Sequence, residues 1–168
     1  MRENTVMGTL IIEGIVNCFI VLICCVVGIA NGPVGLVCFY EKEVWQRVIE
    51  MGLTTEKMIK HNAMLFRIFG IIPMLAFSLA AVYGINGARG FLAGFGQLVF
   101  IFLCEGLFDR LFIDYWWVGK SKAWVIKGTE DLQPYICGKT LIGKWLMTLA
   151  GYPIIAAIPA GIMSLILR

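Results

Sequence analysis

The sequence predicts an all-α integral membrane protein: a four-span transmembrane helical bundle with an interfacial amphipathic helix after the first span. Three observations lead there. Of the 168 residues, 60% are hydrophobic and 15% charged, against about 45–50% and 25% in soluble domains, and mean hydropathy is +0.85. Four apolar runs reach the roughly 20 residues that a helix needs to cross a hydrocarbon core. Lys and Arg gather in alternate connections between those runs. This composition argues against a soluble enzyme and a disordered tail. A net charge of +3 without a dense basic run argues against a nucleic-acid partner.

The first span is expected over residues 9–30. Asn31-Gly32-Pro33 should break it, because Pro33 lacks a backbone donor and disfavours helix at Gly32. A cleaved signal is not expected, since the apolar stretch exceeds a 7–15-residue signal core and Glu3 offsets Arg2. Residues 41–51 place Val44, Trp45, Val48 and Ile49 at helical spacing between charged residues, the pattern of an interfacial helix. Gly52 ends it, and Thr54 is expected to cap the second span with Glu56 in its first turn. The second, third and fourth spans are expected over residues 58–83, 91–117 and 141–167. Pro73, Pro153 and Pro159 should kink the second and fourth. Gly28/Gly32, Gly90/Gly94, Ala156/Ala160 and Ala157/Gly161 are small pairs four apart that permit close helix packing.

Orientation follows from the basic residues of short loops. Lys42, Arg47, Lys57 and Lys60 lie between the first two spans, and Lys120, Lys122, Lys127, Lys139 and Lys144 between the last two. The other side holds Arg2, Arg89 and Arg168. Both long loops are therefore expected in the cytoplasm, with both termini on the non-cytoplasmic side. Trp45, Trp116, Trp117, Trp124 and Trp145 fall near the same boundary, as an aromatic belt would.

Ionisable residues inside a span are site candidates because a charge facing lipid is costly. Glu105 and Asp109 share one face of the third span, and Arg110 can pair locally with Asp114. By helix rise, Glu105 and Arg67 each lie about 13 Å from the cytoplasmic boundary, on consecutive antiparallel spans. His61 and Asn62 sit nearer the cytoplasm, at the level of Asp109. Arg67, Glu105, Asp109, His61 and Asp114 are the candidate ligand- or proton-binding residues of a cytoplasm-facing polar cavity. Equally, an Arg67–Glu105 pair could only fasten two helices. Glu13 and Asn17, near the outer end of the first span, are secondary candidates.

No metal site or cofactor is expected, and a single histidine excludes a multi-histidine centre within one subunit. The six cysteines form no CxxC pair and read as small apolar thiols. Cys104 is a poor nucleophile, because the adjoining Glu105 would disfavour its thiolate. The expected function is binding of an amphipathic or lipid-like small molecule. Rival readings are a proton- or cation-coupled transporter working as a homo-oligomer, a lipid-modifying enzyme and an accessory subunit of a membrane complex. Membrane lipids, a small amphipathic ligand and, in a homodimer, a second copy of the chain are the expected partners.

Overall fold

The computed structural model describes the backbone of residues 2–167 and the side chains of residues 6–167. Arg2, Glu3 and Arg168, which weigh on the expected orientation, fall outside the described side chains. The described chain is helical and holds no strand. Five longer helices follow in order: α1 at Arg2–Gly28, α2 at Lys42–Glu50, α3 at Glu56–Ile85, α4 at Phe91–Val118 and α5 at Gly138–Ile166. All except α2 are long and apolar enough to cross a membrane.

The four long helices turn many large apolar side chains outward and bury polar, small and some larger apolar ones between them. On α1, Ile11, Ile15, Phe19 and Ile23 are exposed, whereas Leu10, Glu13, Asn17, Val21 and Cys25 are buried at three- and four-residue spacing. That suits helices surrounded by lipid, where association depends on close packing and internal hydrogen bonds. α1 packs on α3 and α4, and α4 packs on α5. Gly106 permits the last contact: a Cβ there would lie 2.6 Å from the Tyr152 ring and 2.8 Å from Thr148 Cγ2. Ala156 and Ala160, one of the small pairs noted above, are fully buried beside Leu98, Ile101 and Phe102 of α4.

α1 ends at Gly28, just before the expected break. Gly32 adopts φ +106, a conformation that side chains disfavour, and turns the chain into a tight helical segment at Pro33–Phe39. Thr55, rather than Thr54, caps α3 by accepting from the Met58 N–H at 3.2 Å. Wide π-helical turns interrupt the long helices at Arg67–Ile71, Ala80–Ile85, Asp109–Val118 and Met147–Gly151. The first and last directly precede Pro73 and Pro153. Each proline cannot donate to, and crowds, the carbonyl four residues back, and a widened turn accommodates that conflict.

α2 forms where its amphipathic pattern predicts a helix. Its Val44 and Val48 are fully buried, but against protein: Trp124, Ile126, Tyr135 and Ile136 of the connection between α4 and α5 share their core. Tyr40 stacks on Tyr135 with centroids 4.8 Å apart, Arg47 pairs with Asp131 at 3.4 Å, and Glu41 Oε1 accepts from the Thr140 N–H at the start of α5. These contacts make α2 and residues 119–137 a cap over one end of the bundle, here termed the loop end. Trp124 is only 2% exposed, so it is part of this cap and not of an aromatic belt.

Gly106→Ala is expected to cost about 1–3 kcal/mol through overpacking. Gly96→Ala, whose methyl would meet nothing within 4 Å, should be neutral or stabilising by up to about 1 kcal/mol. Melting of both variants in detergent checks the pair, and equal melting temperatures would refute the close α4–α5 approach.

Candidate ligand-binding site

Beneath the cap lies a cavity of roughly 210 Å³, enclosed by α1, the Pro33–Phe39 segment, α3, α4 and α5. Most of its wall is apolar, including Val21, Phe66, Met74 and Ile113. The polar part comes from two helix faces. α4 supplies Glu105, Asp109, Arg110 and Asp114; α5 supplies Lys144, Thr148 and Tyr152, which recur every four residues and so line up on one side of the helix.

Arg110 is the hub. Its guanidinium pairs with both Asp109 and Asp114, and Lys144 Nζ bonds the other Asp114 oxygen at 2.8 Å. The Lys144 ammonium also lies 5.5 Å from the Phe39 ring centroid, within the range of a cation–π contact. Arg110 and Asp114 are both 7% exposed. Burial of this kind is tolerated because each charge meets an opposite one. The local Arg110–Asp114 pair expected from the sequence is thus present, deep in the bundle instead of at its surface.

Glu105 lies inward of this group and is 2% exposed. The Tyr152 hydroxyl lies next to its carboxyl group, with Arg110 on the same cavity wall. Glu105 Oε2 has no hydrogen-bond partner. Two cations face three carboxyl groups around the cavity, and among the described residues Glu105 is the one of the three that no ion pair engages.

The other sequence candidates fall elsewhere. Arg67 is exposed and outside the cavity wall, and among the described residues no ion pair joins it to Glu105. His61 is exposed in the first turns of α3. Neither belongs to the polar cluster, whereas Glu105, Asp109 and Asp114 do. Lys144, Thr148 and Tyr152 were missed; their four-residue spacing on the last span was the available signal.

Glu13 and Asn17, both buried, enter a second polar cluster at the opposite end. Asn17 donates to Ser78 Oγ at 2.8 Å, and Asn86 donates to Glu13 Oε2 and to Gln97 Oε1, each at 3.0 Å. This cluster ties α1, α3 and α4 together. Among the described residues no group of three or more His, Cys, Asp or Glu side chains is arranged to hold a metal.

Compared with known protein families, curated proteins and solved structures, the chain matches none of them. The class of the molecule therefore rests on its own residues: an all-helical protein with four helices apolar enough to span a membrane, enclosing a charged cavity.

Arg110→Met should destabilise the protein by about 3–5 kcal/mol, because Asp109 and Asp114 would remain buried without the guanidinium. Adding Asp109→Asn, which removes the carboxylate left without any cation while Asp114 keeps Lys144, should recover much of that loss. Thermal unfolding in detergent measures both, and an Arg110→Met variant as stable as the parent would refute the hub.

Proposed function

We propose that this chain is a multi-pass membrane protein whose cavity binds a small amphipathic molecule, with Glu105 as the anchor for a cationic or hydrogen-bond-donating head. The observation that carries this reading is Glu105 Oε2, buried on the cavity wall without a partner. An unpaired buried carboxylate oxygen is costly. A head bearing N–H donors would satisfy it and partner the one carboxyl group that no ion pair engages. The apolar wall of Val21, Phe66 and Met74 suits an aliphatic body. Arg110 and Lys144, already held by aspartates, serve to fix the site and leave Glu105 as the open position.

Glu105→Gln retains the shape and the Tyr152 contact while removing the charge. It should weaken binding of decylamine by roughly 10- to 100-fold, the value of a charged hydrogen bond of about 1.5–3 kcal/mol. Calorimetry on protein in lipid nanodiscs reads this directly. Unchanged affinity would remove Glu105 as the anchor.

The chain is further proposed to place both termini on the non-cytoplasmic side, because Lys and Arg concentrate in the two loops of the capped end. With native cysteines replaced, a cysteine at Asn4 should react with an impermeant thiol reagent on intact cells, and one at Ser121 should not. The reverse labelling would invert the topology.

A further inference from the structure

We infer that the cavity is filled sideways, from the lipid phase, through a gap between α3 and α5, and that its ligand class is a single-chain amphiphile with an ammonium head. This inference rests on the reading of Glu105 as the anchor and adds the route and the tail.

The route is visible in the exposure of the cavity wall. Among its lining residues, Ile71 on α3 and Met147 on α5 are the exposed ones, at 47% and 46%; the others are buried or half-buried. A residue that lines an interior space and also meets the outside marks its mouth. α3 and α5 show no packing comparable to the α1–α4 and α4–α5 contacts. Toward the loop end, Tyr40, Val118, Trp124 and Ile136 close the cavity, none more than 9% exposed.

Depth fixes what the mouth faces. At 1.5 Å per residue, Ile71 lies about 22 Å along α3 from Glu56, and Met147 about 13 Å along α5 from Gly138. Helices of this length overhang a hydrocarbon core of about 30 Å by only a turn or so at each end. Ile71 and Met147 therefore lie at the level of acyl chains, so the mouth opens on lipid and not on water. A ligand taking this path must dissolve in the bilayer. Its head meets the carboxyl group of Glu105, while a chain longer than the cavity can hold leaves between Ile71 and Met147 into the surrounding lipid.

The test uses full-length protein in nanodiscs, with decylamine and propylamine as probes of one head and two chain lengths, read by stopped-flow tryptophan fluorescence and calorimetry. Decylamine is expected to bind in a Glu105-dependent manner and propylamine to bind far more weakly. Joining Ile71→Cys to Met147→Cys with a bis-methanethiosulfonate reagent long enough to span the two positions, native cysteines replaced, should slow decylamine association by about tenfold or more. Cleaving a reducible linker should restore it. Should the cysteine-free protein not fold, Ile71→Trp with Met147→Trp narrows the same mouth and should slow association likewise. If decylamine binds through Glu105 at an unchanged rate in both variants, the lateral route is wrong while the anchor stands. If the parent protein binds no decylamine, the anchor fails and the route with it. Faster association in Ile136→Ala with its Ile71–Met147 mouth still joined would move the path to the loop end and overturn the proposal.

Discussion

The arrangement of the capped end depends on how its charges are buried. Arg110 lies between Asp109 and Asp114 on its own helix, and Lys144 reaches Asp114 from the next. Removed from water, such charges are tolerated only together, so this group fixes the position of α5 against α4. Gly106 supplies the closeness that the group requires, since a side chain there would collide with Thr148 and Tyr152. With the helices so placed, Tyr152 reaches Glu105 and the remaining Glu105 oxygen is left on the cavity wall. The candidate site is what remains after the ion network has been satisfied.

The cap and the segment at residues 33–40 add enclosure without adding a charged residue to the cavity wall. Phe39 lies beside the Lys144 ammonium, and Tyr40 stacks on Tyr135. Burial pushes the Cys38 thiol up to about 11 and raises the Tyr40 phenol as well, so both stay neutral near physiological pH. α2 completes this layer by turning Val44 and Val48 onto Trp124, Ile126 and Tyr135. Its amphipathic pattern was legible in the sequence, but the same stripe suits lipid or protein. Periodicity shows that a face must be buried, not by what.

Helix number and the break near Gly32 were readable because length, hydropathy and Pro33 act locally. The carboxylates were readable for a similar reason: Glu105 and Asp114 are improbable in an apolar run unless something holds them. Their partners were harder. Counting residues gives depth along a helix but not the direction a side chain faces, and each step turns about 100°. Phe66 and Gly70 occupy the inward positions of α3, leaving Arg67 on the outside although its depth matched that of Glu105. The widened turn that begins at Arg67 further shifts the faces of the helix. Lys144 was harder to place because basic residues near a span's end ordinarily reach water, and only its four-residue spacing to Thr148 and Tyr152 points to an inward face.

Both prolines that follow wide turns lie close to the gap between α3 and α5. Pro73 follows the Arg67–Ile71 turn and Pro153 follows Met147–Gly151, and Ile71 and Met147 each belong to one of these turns. A widened turn breaks the regular ridges through which helices interlock, and each of these two turns contributes residues to the cavity wall. Above and below, other contacts limit the separation. Toward the end opposite the cap, Val82 and Tyr83 of α3 share a core with Ala156 and Ala160 of α5, and the Asn17–Ser78 and Glu13–Asn86–Gln97 bonds hold α1, α3 and α4 together. At the loop end the cap covers the cavity. Backbone irregularity thus meets the ion network in this stretch, which places a charged interior one side chain away from the exposed apolar surface of α3 and α5.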